Sequence, residues 1–466
     1  MRTVRPFAVT LTLAAIVVPP VLAPPPPAVA TEASPRSDAS DGPDRSDAPD
    51  DAVRAAAEAA LALPHEPDRL LVLWDEDTSA RARARVRSRQ DLESFRTVSR
   101  LDRRTDVVEL PAGTDLAEAF ATWSALPGVR FVEPDYRLRP ATIPNDPDYS
   151  ASDLWGMRGP ASMPASPFGS RADEAWADGH TGSRDVHVVV IDQGVQTTHP
   201  DLAANVWTNP FEVEGDGIDN DENGFIDDVH GWDFYANDAS VYDGSLRRPA
   251  DSHGTHVAGT IGAVGDNGTG VIGVSPQVTL ISAKFLGPDD GNISDAILAV
   301  DYATDLKVRH GIDIVATNNS WGGGGYSKAL HDAILRGGDA GIVFVAAAGN
   351  DGRDNDGSPT YPANYDCNVT AAGDPRGWDC VIAVAAITRT GARASFSNSG
   401  ATTVDLGAPG HDVRSTISHS GYRTYSGTSM ATPHVTGALA LCAAAAPDLA
   451  AGELVERLYD SVASTP

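Results

Sequence analysis

The chain has 466 residues, 41% of them hydrophobic, which suffices for a large buried core and exceeds what one typical domain needs. Its formal charge is −29, from 64 Asp and Glu against 35 Lys and Arg, so it offers nucleic acid no counter-charge and that class of partner is excluded. The imbalance is uneven: residues 1–140 hold 18 basic and 22 acidic side chains, residues 141–466 hold 17 and 42, and an Arg-dense stretch from Arg81 to Arg104 makes the two parts complementary in charge.

In chain order, residues 1–30 place Arg2 and Arg5 before an apolar run from Phe7 to Leu22, then the small-residue exit Ala28-Val29-Ala30. That order predicts a cleaved secretory leader and an extracellular protein; Pro19 and Pro20 break the run, and nothing later resembles a membrane span. Residues 31–63 begin with a Ser, Asp, Pro and Ala tract that cannot bury enough surface to fold, and read as a linker. Residues 64–140 change character. Leu70–Trp74 predicts a strand, Thr78–Arg89 a polar helix, Val107–Leu110 a strand, Asp115–Leu126 a helix and Val129–Val132 a strand, which together make a small α+β unit.

After an aperiodic connector from Pro140 to Met157, residues 141–466 form a longer unit. Unbroken apolar runs at Val186–Ile191, Thr279–Leu286, Ile312–Thr317, Ile342–Ala348 and Val381–Ile387 alternate with helical patterns at Ser294–Val308, Ser327–Gly337 and Met430–Ala446. Strands apolar on both faces, separated by helices, predict a parallel sheet inside an α/β sandwich, with the chemistry at the carboxyl ends of the strands. Cys367 and Cys380 flank a short loop rich in Gly, Asp and Pro, and an oxidising compartment predicts a disulfide between them; Cys442 lies in an Ala-rich helix and reads as a core residue.

Three segments carry nucleophile, base and carboxylate in sites suited to catalysis. Asp192-Gln193-Gly194 ends the first long apolar run, His253-Gly254-Thr255-His256 opens a stretch of small residues, and Gly427-Thr428-Ser429 precedes an apolar helix whose dipole favours anionic charge near Ser429. Each alone has a bland reading too, since an Asp at a strand end serves turns and a Ser at a helix start serves as an N-cap. The His253/His256 pair lacks the glutamate of a zinc-protease helix, so zinc is not expected. Between these segments, Asp219-Asn220-Asp221-Glu222-Asn223-Gly224-Phe225-Ile226-Asp227-Asp228 spaces oxygens as an EF-hand-like loop does, with His230 where that loop has its final glutamate. The spacing predicts structural Ca²⁺ held by Asp219, Asp221, Asn223, the Phe225 carbonyl and Asp227 or Asp228; the alternative is an acidic surface loop.

The ordered set IDQG, HGTHVAGT, SWGG, AAAGN and GTSMATPHV resembles the subtilisin-like serine proteases, or subtilases, over residues 145–460. The resemblance implies a three-layer α/β/α sandwich around a mainly parallel sheet. It further implies Ser429 as nucleophile, His253 as base, Asp192 as its orienting carboxylate and Asn350 as oxyanion donor with the Ser429 N–H. His256 takes the family's structural histidine position. Ser320, Trp321 and Gly322, with a strand near Asp290 to Ile293, correspond to the two backbone edges that hold an extended peptide substrate. Ala346 to Gly349, Ala348 included, and Ser358 to Tyr361 form the pocket wall, with Asp351 at its rim favouring basic over acidic substrate residues. The 64–140 unit resembles the family's ferredoxin-like inhibitory propeptide, which would act as an intramolecular inhibitor and folding aid, with Val132–Tyr136 lying in the cleft before self-cleavage of a monomeric precursor. The sequence departs from the pattern at Gln193, where Ser or Thr is usual, in an insertion over residues 209–242, and beyond Gly452–Val462, where the family continues with a further short segment. An inactive relative would have lost a triad residue or the amide, and a calcium-dependent adhesion protein would not need the triad motifs.

Overall fold

A computed structural model describes residues 9–10, 61, 65–90, 92–98, 104–136, 144–244 and 251–465. The leader and linker expected over residues 1–63 lie outside these, apart from Val9–Thr10 and Leu61. The chain divides into two compact units, residues 18–139 and residues 140–466, the latter joined by residues 1–17.

The smaller unit alternates strand, helix, strand, strand, helix, strand: His65–Trp74, Ala80–Arg87, Ser94–Thr97, Thr105–Glu109, Leu116–Ser124 and Val129–Tyr136. Its four strands pair antiparallel in the order Ser94–Thr97, Thr105–Glu109, His65–Trp74, Val129–Tyr136, a ferredoxin-like arrangement. Alternation along the first strand sends Leu70, Val72 and Trp74 inward, where Phe120, Trp123 and Val132 meet them. Buried Asp106 belongs to that core because Trp74 Nε1 and Thr97 Oγ1 each donate to it at 2.7 Å and Arg87 pairs with it. Ser94–Thr97 has all four residues exposed and hence no apolar signal, which is why the sequence pattern does not show it. Val132–Tyr136, expected to lie in the cleft before self-cleavage, is the second half of an edge strand: Val132, Glu133 and Pro134 pair with Val72, Leu71 and Leu70, and Tyr136 with His65. That segment is paired within its own unit along one side only.

In the larger unit the strands run in the order Gly231–Asp233, Thr279–Lys284, His187–Asp192, Ile314–Asn319, Val343–Ala347, Val381–Ile387 and Leu406–Pro409, each parallel to the next. Val9–Thr10 continues the parallel order and Ala463–Ser464 closes it antiparallel. Alternate residues of one strand enter two separate cores. Val188, Val190, Val343, Val345 and Ile382 pack with Val257, Ala258 and Val435 of the helices Ser252–Gly262 and Thr428–Ala445. Val189, Ile191, Phe344, Ala346 and Ala383 pack with Ala299, Ala303 and Ile334 of Ile293–His310 and Lys328–Asp339. The fold is therefore the expected three-layer α/β/α sandwich, and burial on both faces explains the unbroken apolar runs. Chain direction across the sheet reverses at His187–Asp192, which makes the carboxyl end of that strand the switch point where such folds place their sites.

A hairpin of Val413–Ile417 and Gly421–Tyr425 covers the helix Ser252–Gly262, held by Ser415 Oγ to His256 O at 2.8 Å and Thr416 Oγ1 to Thr255 O at 2.7 Å. Cys367 and Cys380 are joined as a disulfide, their Cα atoms 5.1 Å apart, and Cys442 is a buried free thiol. Among the described residues no helix is long and apolar enough to cross a membrane.

Candidate active site

Asp192 is the last residue of the switch-point strand and is fully buried. His253 Nδ1–H donates to its Oδ1 at 2.8 Å, and the Gln193 N–H donates to the same oxygen at 2.7 Å. Gln193 thus serves Asp192 through its backbone, which any residue offers, while its side-chain amide reaches the Gly287 carbonyl at 3.5 Å. His253 is the second residue of its helix, with a side chain 29% exposed. The glycine after it is required by contact: a Cβ at Gly254 would stand 2.3 Å from the Gly194 carbonyl oxygen. Burial alone pulls the His253 imidazolium down, but the charge and hydrogen bond of Asp192 outweigh it and hold the group above its ordinary value.

His256 lies one turn on, fully buried, with Nε2–H shared between the carbonyls of Val413 and Arg423 at 3.1 Å each, and its ring stacked on Tyr425. Burial pushes it down to about 3, so it is a neutral clamp on the hairpin.

Ser429 is the second residue of the helix Thr428–Ala445. Its hydroxyl donates to the Ser320 carbonyl at 3.0 Å, and Ser320 Oγ donates back to the Ser429 carbonyl at 2.9 Å. Among the described hydrogen bonds none joins Ser429 to His253; such bonds commonly tighten only with substrate bound. Exposed Asn350 is fixed through its carbonyl oxygen, which accepts from Thr428 N at 2.9 Å and Thr428 Oγ1 at 3.1 Å and leaves the amide Nδ2 free of that contact. A Cβ added at Gly427 would lie 3.6 Å from Ser429 N and 3.7 Å from Asn350 Nδ2, so both donors border the same point beside Gly427.

The expected substrate edges are placed unevenly. Gly322 is exposed, and the Gly323 N–H donates to the Tyr361 carbonyl at 3.0 Å, joining the Ser320–Gly322 edge to the wall Ser358–Tyr361. The Trp321 indole turns inward against Phe285, 4.8 Å between ring centroids, so its backbone is what remains for a ligand. The second edge is not a strand: residues 290–292 form a loop pinned by one bridge between Leu286 and Gly291, and Ile293 already begins the next helix, because Asn292 precedes a helical repeat. Ala346 and Ala348 are buried in the core, the Ala348 carbonyl accepting from Asn355 Nδ2 at 2.9 Å and Asn398 Nδ2 at 3.1 Å, so Gly349 is the residue of that expected wall nearer the surface. Gly349, at φ +108°, has Asn398 Nδ2 2.4 Å from where a Cβ would be. Asp351 is exposed with Arg353 3.9 Å away, which weakens its field at the rim.

The acidic insertion differs from the loop its spacing suggests. Asp219 accepts from the backbone of Asn223 and Gly224, and Asp227, at φ +58°, accepts from Gly215 and Gly217; neither belongs to the set of carboxylates that converge. The Phe225 ring packs with Trp232, Phe234 and Tyr302. The carboxylates that do converge are Asp221, Asp228 and, unforeseen from the spacing, Glu212, with one oxygen from each within 4.8 Å of the others. Asn209 Nδ2 and Asn223 Nδ2 each donate to Asp228 at 2.9 Å and Tyr302 OH at 2.6 Å. Burial pushes Asp228 up to about 6, against those bonds and with a further push from Asp221. Hard oxygen donors crowded in this way suit a divalent cation such as Ca²⁺.

The sequence profile described as the Subtilase family matches residues 183–464. The chain belongs to the subtilase family. Subtilases are serine endopeptidases, and this one is 36% identical over 290 residues to subtilisin DY of Bacillus licheniformis, covering 62% of the chain and 87% of that protein. It is 35% identical over 388 residues to an extracellular protease of Xanthomonas campestris pv. campestris, covering 79% of the chain but 61% of that longer protein. Among solved structures, a protease from Pseudoalteromonas arctica aligns at TM-score 0.51 with 30% identity, over 68% of this chain and 91% of that one.

Proposed function

We propose that this subtilase is a secreted serine endopeptidase, made as a precursor that cleaves itself, in which Asp192, His253 and Ser429 are the triad. The observation that carries the reading is the 2.8 Å bond from His253 Nδ1–H to buried Asp192, which leaves Nε2 as the nitrogen able to accept a proton. Ser429 Oγ attacks the scissile carbonyl carbon as its proton passes to His253 Nε2. Charge then develops on the carbonyl oxygen, where the Ser429 N–H and the Asn350 amide stabilise it. His253 returns the proton to the leaving amine, and a water molecule repeats the sequence on the acyl-enzyme to release the acid. Backbone pairing along Ser320–Gly322 implies recognition of extended peptide with broad side-chain tolerance.

The 64–140 unit is the inhibitory propeptide in this reading, supported by its ferredoxin-like fold, and residues 1–30 the secretory leader. Glu212, Asp221 and Asp228 would hold a structural Ca²⁺, which when bound supplies positive charge that ties the insertion together. The test is treatment with phenylmethylsulfonyl fluoride followed by peptide mapping. Casein hydrolysis should stop as Ser429 alone gains the sulfonyl group, and a zinc-selective chelator should leave activity intact. Label on another residue, or activity lost to zinc removal and restored by zinc, overturns the assignment.

A further inference from the structure

The sheet buries a cation directly behind the Asp192–His253 pair. Lys284 is 1% exposed, and its Nζ lies 2.5 Å from Asp243 Oδ2, 2.9 Å from Asp251 Oδ1 and 3.4 Å from Asp233 Oδ2. Such a group persists in an interior only where its partners are held for it. Here the partners come from three segments: Asp233 ends its own strand, Asp243 follows the insertion, and Asp251 is the residue before the His253 helix.

Asp251 has given up its usual task. It occupies the N-cap position yet makes no side-chain cap, and it sits at φ +64° in the left-handed region that an aspartate visits at a cost. Its carboxylate instead bonds Lys284 through Oδ1, and through Oδ2 accepts from the backbone of Asp243 at 2.6 Å and Gly244 at 3.4 Å. Lys284 is also the in-register neighbour of Asp192, whose carbonyl accepts from Phe285 N at 3.0 Å. Gly194, two residues after Asp192, lies against both Lys284 and Asp251. A Cβ at Gly194 would stand 2.9 Å from Lys284 Cδ and 3.0 Å from Asp251 Oδ1, and one at Gly254 would strike Gly194.

We propose that Lys284 is a positioning residue for the catalytic pair, locking the start of the His253 helix through Asp251 against the end of the Asp192 strand and offsetting the negative field in which His253 works. The groups that bear on this field are Asp192 on the partner strand, His256 on the same helix as His253, and Asp233, Asp243 and Asp251 around the ammonium. Burial pulls the Lys284 ammonium down, but the bonds from Asp243 and Asp251 outweigh it and keep it charged; burial pushes the Asp233 and Asp251 carboxyls up. With Lys284 charged, one positive group stands among Asp233, Asp243 and Asp251 and in register with Asp192 on the next strand, so its removal should raise the imidazolium pKa and removal of one carboxylate should lower it.

The inference rests on the triad reading, and kinetics normalised to sites titrated with the sulfonyl fluoride keep the two separable: a wild type that cannot be titrated refutes the triad, not the lysine. Per titrated site, Lys284→Met should lose about tenfold or more in kcat with KM within about twofold, as expected for a misplaced base rather than weaker binding. The acid limb of its kcat/KM profile should move to higher pH. Asp243→Asn, at the half-exposed end of the cluster, should move that limb to lower pH. A Lys284→Met enzyme with wild-type kcat per site and an unmoved limb overturns the proposal. If that variant yields no titratable sites, Asp243→Asn decides: a downward shift supports the field, and no shift or an upward one refutes it.

Discussion

In the proposed mechanism Asn350 acts through a single amide, without changing its own covalent state. Its oxygen is anchored to both polar groups of Thr428, the residue before Ser429, so the donor and the nucleophile share one support. A side chain held this way loses little freedom when the oxyanion forms, which is why such donors act mainly on the chemical step. Asn350→Ala should therefore lower kcat by about 10²–10³-fold, ~3 kcal/mol, with little change in KM. Steady-state kinetics on a short peptide substrate checks this, and a loss confined to KM would mean that Asn350 binds substrate instead. The AAAGN segment marks Asn350 in the sequence, whereas nothing near it marks Thr428 as its anchor, because the two residues meet only after the strand Val343–Ala347 and the serine helix come together.

Among elements, the hairpin Val413–Tyr425 and the insertion hold predictions of their own. His256, folded at about 3 against an ordinary 6.5, binds no proton in the native state between those values while the unfolded chain does. Its contribution to stability is thus complete above pH 6.5 and is lost as pH falls toward 3. The advantage of wild type over a non-titrating His256→Gln should shrink by about 1 kcal/mol per pH unit between roughly pH 6 and 4. Denaturant unfolding of both chains, each carrying Ser429→Ala to prevent digestion, measures it; a constant difference would place the clamp elsewhere. For the insertion, an ion bound by the native state alone adds about 2.7 kcal/mol at a hundredfold excess over Kd. EDTA should lower the wild-type Tm by a few degrees, and Glu212→Gln/Asp221→Asn should lack that response. A wild type indifferent to EDTA makes the cluster a plain acidic surface, and a variant with the full response puts the ion at another site.

At the scale of the whole molecule, two units with separate cores lie in one chain, a ferredoxin-like one before the subtilase sandwich. If one nucleophile serves both self-cleavage and substrate, Ser429→Ala should accumulate as the uncut precursor in a protease-deficient host. Mass spectrometry of the secreted product reads this directly, and a trimmed product from that variant would assign the cut to another enzyme. Val132–Tyr136 is paired as a strand within its unit, so the cut is expected beyond Tyr136.

The sequence by itself determined what local pattern encodes. Apolar runs such as Val186–Ile191 declare a strand buried on both faces, and the short motifs around Asp192, His253, Asn350 and Ser429 carry the resemblance to the subtilases, with glycine spacing there that matches close contacts such as Gly254 on Gly194. The tertiary structure alone decided what depends on approach between distant segments. Glu212 joins Asp221 and Asp228 across a folded insertion, while Asp219 and Asp227, well placed in the linear spacing, turn to cap backbone instead. Lys284 reads in the chain as one charge interrupting an apolar strand. Its three carboxylates lie 33 to 51 positions away along the chain; parallel register brings Asp233 to it, and the packing of the segments around Asp243 and Asp251 brings the other two. A periodic pattern reports which face of an element is buried, but the partner of a buried charge is fixed by packing, to which the pattern is blind.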